Sequence, residues 1–253
     1  MCQAIVKPSN VTLSKRLLKA AWRDNPHSGG FAYRNPESNT IHIDKGYFTF
    51  KTFWRAFRPY QHLDCLIHFR FATHGARTIE NCHPFPLGPN AAIIHNGILS
   101  KFIPPPTSPK SDTRHFVEDF LAPSLLPAGN IKHALETSAV KSLIESLIGG
   151  SKLATLTPDG FVIHNEPLGE WHDGAWYSAG VPDMQDRYEY LWRDWPTRSR
   201  PLGFAYTDDW DHEEEGEHPA SWPCDMCGDE AEPDITLADD IALCRSCYHM
   251  QSY

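Results

Sequence analysis

The chain of 253 residues contains no run of roughly 18 consecutive apolar residues, so no segment reads as a membrane-spanning helix. Its N-terminus has no basic stretch followed by an apolar one, and the pattern of a secretory signal is excluded with it. No internal repeat is visible. Basic residues nearly vanish from the last part: residues 208–253 hold one arginine against 14 Asp and Glu, whereas residues 1–207 carry a net charge of +4. Phosphate contacts depend on lysine and arginine, so an acidic tail is not expected to bind nucleic acid. What remains is a cytoplasmic protein with reduced thiols. Its hydrophobic content of 41% supports a packed core, and its length suits one large domain with a small appendage.

The periodicity places the elements. Residues 2–7 read as a short buried strand. Ser14 to Trp22 has helical spacing, with Leu17, Leu18 and Trp22 on one side. Phe31-Ala32-Tyr33 and Thr40 to Asp44 read as the two strands of a hairpin, and the aromatic-rich stretch Phe48 to Tyr60 as a helix. Cys65 to Thr73 and Ala91 to His95 are expected strands. Ser111 opens a helix through Leu121, and Ala139 to Ile148 forms another. Three strands follow, at Leu153–Leu156, Phe161–Ile163 and Ala175–Ser178, the first two joined by a Pro158-Asp159-Gly160 turn. This order predicts an α+β layered fold. Residues 181–219 mix aromatics with charge and end in a run of acids, and read as a connector and a solvated acidic linker.

Cys2 is the residue with the most chemical content. Read as an initiator, Met1 would be removed, because the next side chain is small. Cys2 would then carry a free α-amine beside its thiol. A thiol is a nucleophile once deprotonated, and an α-amine with a pKa of roughly 7.7–8.0 is a base, so one residue would hold both. Downstream lie His68-Phe69-Arg70-Phe71-Ala72-Thr73-His74-Gly75, then Asn81-Cys82-His83-Pro84-Phe85, then His95-Asn96-Gly97-Ile98, then Ser111-Asp112-Thr113. Together with Cys2 these resemble, in order, the motifs of the class II glutamine amidotransferases, which are N-terminal-nucleophile hydrolases. The resemblance covers about residues 2–180, the expected glutaminase domain.

The resemblance implies a four-layer αββα sandwich and a division of labour among named residues. Cys2 would attack the side-chain amide of glutamine. Asn96 and Gly97 would donate hydrogen bonds to the developing oxyanion. Arg70 would clamp the substrate carboxylate and Asp112 its ammonium, with Phe71, Thr73 and His74 lining the same pocket. His83 is expected to hold its loop rather than react. Other readings of the same residues stay open: Asn-Gly after an apolar run is a hairpin-turn signal, and Ser111-Asp112-Thr113 suits a helix start. The chain also departs from the family pattern. Phe71 stands where the family has tryptophan, and Arg114 where an acid usually follows Ser-Asp-Thr. The loop between the two last motifs is short and rich in proline. No organic cofactor is implied.

The tail carries Cys224-x-x-Cys227 and Cys244-x-x-Cys247, a spacing suited to four thiolates around a structural zinc ion. Residues 220–253 are therefore read as a zinc ribbon. With no room for a synthase domain, the ammonia acceptor is expected on a separate protein. Two rival readings are a stand-alone amidase acting on another amide or peptide, and a catalytically silent adaptor that binds a protein through its tail.

Overall fold

The computed structural model describes residues 2–72, 77–182, 235–237 and 241–243. The chain divides into two compact units, Met1–Asp194 and Trp195–Tyr253.

In the first unit, β1 (Gln3–Lys7) is buried along its whole length and forms the middle of a sheet. It pairs antiparallel with β4 (Cys65–Arg70) on one side and β10 (Ala175–Tyr177) on the other. The hairpin β2 (Ser28–Asn35) and β3 (Thr40–Tyr47) extends the sheet beyond β4, and β9 (Glu170–His172) closes it beyond β10, giving the order β3-β2-β4-β1-β10-β9. A second antiparallel sheet has the order β5-β6-β7-β8, with β5 (Phe85–Pro86), β6 (Ala92–Asn96), β7 (Lys152–Thr157) and β8 (Gly160–His164).

Alternation along the strands sorts the side chains into layers. From β1 and β4, Ile5, Ile67 and Phe69 face one way, into a core shared with α1 (Lys15–Asp24) and α2 (Phe50–Phe57). Edge-to-face aromatic pairs fill it: Trp22 on Phe69 at 5.4 Å, Phe53 on Phe69 at 4.8 Å and Phe31 on Phe57 at 5.4 Å. Ala4, Val6 and Leu66 face the other way and meet Ala92, Ile94, Ala154 and Leu156 of the second sheet. The outer face of that sheet, with Ile93, Leu153 and Val162, is covered by a run of helices. These are α3 (Asp112–Phe116), a π-helical turn over Val117–Leu121, α4 (Ala122–Leu125), α5 (Ile131–Glu136) and α6 (Ser138–Ile148). Helices, sheet, sheet and helices thus stack around three apolar layers.

The helix starts are capped as their sequences dictate. Ser14 accepts from the Leu17 amide at 3.1 Å, and Ser111 from the Arg114 amide at 3.2 Å. Lys7 is fully buried, and its ammonium donates to the carbonyls of Pro8, Val11 and Gln61 at 2.9, 2.7 and 2.6 Å. An unpaired charge there would cost several kcal/mol, of order the penalty for any buried ion; three carbonyls offset it and tie two loops to β1.

The hairpin reading of Asn96-Gly97 is corrected. β6 ends at Asn96, and the chain leaves the sheet for a 3₁₀ turn at Ser100–Phe102 rather than folding straight back. Gly97 has φ +140°, and a Cβ on it would lie 2.1 Å from the Ser151 hydroxyl. The glycine is required by that close approach, not by a two-residue turn. Two helices were expected in the chain between β6 and β7 where four and a π turn stand; α5 has six residues, too few to show a helical period.

In the second unit, β11 (Ile235–Leu237) and β12 (Ile241–Leu243) pair antiparallel. Among the described residues no helix is long and apolar enough to cross a membrane.

Candidate active site

Strand register brings the distant motifs together. Gln3 lies opposite Phe69 and Ser28 opposite Arg70, so the start of β1, the end of β4 and the start of β2 coincide at one sheet edge. Cys2 therefore sits beside Phe71. The Phe71 amide donates to the Cys2 sulfur at 3.3 Å, and the thiol faces the Phe71 carbonyl at 3.4 Å. Burial pushes the Cys2 thiol above its ordinary pKa, opposed by the Phe71 amide and the Arg70 charge. The resting group is a thiol, and a base beside it is needed to make it a nucleophile.

Cys2 stands where two cavities meet. Cys2, Phe71 and Gly97 border both. The smaller, about 20 Å³, is lined by Arg70, Ser111, Asp112 and Thr113, with His83 and His95 behind. Arg70 and Asp112 are both buried, 4% and 6% exposed, which is unusual for charged side chains and puts opposite charges at one polar recess. One Asp112 oxygen already accepts from the Leu99 amide at 2.8 Å; among the described residues the other has only the Thr113 hydroxyl at 3.5 Å. Ser111, not Asp112, is the helix cap, which leaves the carboxylate available to the recess. In this structure the recess holds about one water molecule. The Phe71 side chain, 40% exposed, forms part of its wall.

The larger cavity, about 490 Å³, lies on the other side of Cys2 and reaches Asn96, Gly97, Ile98 and the end of α6. Asn96 is 2% exposed, and its amide donates to the Ser178 hydroxyl at 2.8 Å. An amide nitrogen has two hydrogens, so one remains for a ligand. Ser178 also accepts from the Ala4 amide at 2.9 Å and donates its own amide to the Ala4 carbonyl at 3.0 Å. It thereby fixes Asn96 to the strand that carries Cys2.

His27 was not singled out in the sequence. Its ring stacks on Phe71 at 4.7 Å, its Nδ1 accepts from the Ala72 amide at 2.8 Å, and its own amide donates to the Arg70 carbonyl at 3.1 Å. Burial and the charges of Arg77 and Arg70 push its pKa down, which keeps Nδ1 an acceptor. Ser178, Ser151 and His27 carry no local motif, and only their neighbours in space mark them.

His68, His83 and His95 form a buried cluster. His68 Nε2 contacts the His95 carbonyl at 3.0 Å, His95 Nδ1 contacts the Thr113 hydroxyl at 2.8 Å, and the rings of His68 and His83 are 3.9 Å apart. The expectation that His83 holds its loop agrees with this burial. Cys82 is buried with its thiol toward the Thr78 carbonyl at 3.3 Å. Among the described residues no group of three or more His, Cys, Asp or Glu is placed to hold a metal ion. Thr73 and His74 lie outside the described residues, as do Cys224, Cys227, Cys244 and Cys247.

The structure thus brings together Cys2, Arg70, Phe71, Asn96, Gly97 and Asp112. A thiol flanked by an amide donor, an Asn-Gly pair and an arginine–aspartate recess can hold an amino acid end and attack a carbonyl.

No family model matches the chain. It is 30% identical over 113 residues to the amidophosphoribosyltransferase of Archaeoglobus fulgidus, covering 40% of this chain and 24% of that protein. The chain thus spans about a quarter of the curated relative it matches. A solved structure, the glutamine phosphoribosylpyrophosphate amidotransferase of B. subtilis in complex with ADP and GMP, aligns with 70% of this chain and 41% of its own at 14% identity and a TM-score of 0.41.

Proposed function

We propose that this chain is a class II glutamine amidotransferase domain with an N-terminal-nucleophile fold. It hydrolyses glutamine at Cys2 and releases ammonia for an acceptor enzyme on a separate chain. The observation that carries the reading is the convergence on one thiol of the Arg70–Asp112 recess and the Asn96-Gly97 pair. The likeness to an amidophosphoribosyltransferase supports it at the level of glutamine chemistry.

In this reading Met1 is removed, and the Cys2 α-amine takes the thiol proton that burial otherwise retains. The thiolate attacks the glutamine side-chain carbonyl. The remaining Asn96 amide hydrogen and the Gly97 backbone N–H receive the oxyanion, a donor type typically worth ~10²–10³ in rate. Arg70 binds the α-carboxylate through its planar fork, and Asp112 with Thr73 and His74 completes the amino acid pocket. Ammonia leaves with the proton, and water hydrolyses the thioester. The buried Arg70 and Asp112 favour an α-amino acid substrate over the general-amidase reading.

The tail is read as a four-thiolate zinc ribbon through Cys224, Cys227, Cys244 and Cys247. The antiparallel pairing of 235–237 with 241–243, which falls between the two cysteine pairs, supports it. The ion would be structural, and the acidic surface would recruit a protein rather than nucleic acid.

Native mass spectrometry with a glutamine-mimicking diazo ketone tests the reading. The expected mass lacks methionine, includes one zinc ion, and gains one label that is absent in Cys2→Ala. An active chain that retains Met1, or labelling indifferent to Cys2, overturns the mechanism.

A further inference from the structure

The two cavities at Cys2 differ in size and character. The small recess holds the charged pair Arg70 and Asp112, and with the γ-glutamyl reading above it takes the α-amino acid end. The scissile amide of a substrate anchored there lies at the Cys2 thiol, where the second cavity also begins, so its departing nitrogen has that space open to it. That space is the cavity of about 490 Å³. Ammonia needs about the room of one water molecule, roughly 30 Å³. A space of several hundred Å³ is the size of a small-molecule pocket. Its walls beyond the oxyanion pair include Ile98, Leu147, Ile148, Gly150 and Ser151, with Ser146 on the same helix. Lys101 also borders it, its ammonium donating to the Ser146 carbonyl at 3.1 Å; the rest of the lining is apolar or small, with no acidic side chain.

We infer that this cavity receives the leaving group, and that the chain, besides glutamine itself, cleaves γ-glutamyl amides whose amine carries an apolar substituent of several carbons. This rests on the γ-glutamyl reading and specifies its substrate class. The chemistry stays balanced. The Cys2 sulfur bonds to the γ-carbonyl carbon, the C–N bond breaks, and the amine leaves with the proton relayed by the Cys2 α-amine. Water then cleaves the thioester, restoring the thiol and giving glutamate. The net reaction is amide plus water to glutamate plus amine, with no other reactant. Burying the substituent against Ile98 and Leu147 supplies binding energy that ammonia cannot.

The full-length chain is assayed for glutamate release from glutamine and from the γ-glutamyl N-methyl, N-propyl and N-isopentyl amides. N-alkylation does not activate the amide, so a rise along the series reports the cavity. The expected kcat/KM grows roughly three- to four-fold per methylene, the effect of burying one such group. Gly150 has nothing within 4 Å of a Cβ, and Gly150→Leu should fill the cavity and flatten the series. Ser146→Leu, on the exposed helix surface, is the second filling variant should the first not fold. Glutamine turned over with a flat or falling series overturns the inference alone. A rising series that neither filling variant alters places the substituent elsewhere and also overturns it. No hydrolysis of any γ-glutamyl amide, with Cys2 inert to the diazo ketone, overturns the function on which it rests.

Discussion

At the scale of single residues the site combines groups that bind in the ground state with groups that act on the transition state, and their variants should separate. Arg70 and Asp112 face a recess that contains no reacting atom except the Cys2 sulfur. Arg70→Ala and Asp112→Ala are expected to raise KM for glutamine, each by about 1.5–3 kcal/mol for a charge-assisted contact, with kcat changed less. Steady-state kinetics checks this; normal KM values in both variants would favour the general-amidase reading. Ser178 is different. It lines neither of the two cavities and reaches the chemistry through the Asn96 amide, while also accepting from the Ala4 amide of β1. Ser178→Ala should lower kcat by about ten-fold, part of the ~10²–10³ a full donor provides, while KM holds. In a chain that already carries Asn96→Ala the same change should do almost nothing, because its target is gone. Additive losses would show that Ser178 acts by some other route.

At the scale of elements, the Asn81 motif explains how a proline-rich loop can still deliver Asp112 accurately. Asn81 donates to the Pro109 carbonyl at 2.7 Å and accepts from the Ser111 amide at 2.9 Å, so it brackets the entry to α3. Ser111 then caps the helix and Asp112 follows in its first turn, a position favoured by the helix dipole. Asn81→Ala leaves the buried Ser111 amide and the part-buried Pro109 carbonyl without these partners, and should destabilise the fold by about 1–3 kcal/mol, chiefly for the buried amide. Chemical denaturation reads the stability. The surviving folded fraction should show a raised KM for glutamine, since Asp112 loses its support; an unchanged KM would detach the loop from substrate binding. The same scale accounts for what the sequence obscured. α5 is a single short helix, and the turn at 117–121 widens to π geometry that no period anticipates.

At the scale of the whole molecule, the buried histidines set the acid limit of the fold. Burial pushes His68 down to about 3 and His95 and His164 to about 4, and His83 well below its ordinary value. Both ring nitrogens of His83 lack a hydrogen-bond partner among the described residues. The folded state therefore binds fewer protons than the unfolded chain once pH falls below about 6.5. Stability is fully present above that value and is lost as pH falls toward the folded pKa values, by up to about 1.4 kcal/mol per pH unit for each histidine. Four such groups against a total stability of about 5–15 kcal/mol predict acid unfolding with a midpoint between roughly pH 4 and 6. Circular dichroism against pH checks it. His83→Phe, which keeps a ring against Phe85 and His68, should move the midpoint to lower pH; no movement would mean that another group limits the fold.

The sequence by itself determined the elements and the chemistry on offer. Alternation in β1 and β4 placed Arg70 and His68 on one face and Phe69 on the other, and the structure buries them so. Serine ahead of each apolar period marked the starts of α1 and α3, where it caps. Cys2, the arginine strand and the Asn-Gly pair were legible because their residue types are costly to bury or bend without a reason. Only the tertiary structure decided which of them meet. Asn96 and Gly97 cease to be a hairpin turn once Ser151 presses on the glycine and Ser178, 82 residues beyond Asn96, holds the amide. β10 joins the sheet of β1 rather than that of β7 and β8, which precede it, and so carries Ser178 to the site. The division into a charged recess and an apolar cavity has no counterpart in any local pattern. It arises because the start of β1 and the end of β4 in one sheet lie beside the end of β6 in the other, and side chains far apart in the chain become walls of one site. Local pattern follows from backbone geometry within a few residues. Which strand edge neighbours which follows from burying three apolar layers at once, and that is a property of the whole fold.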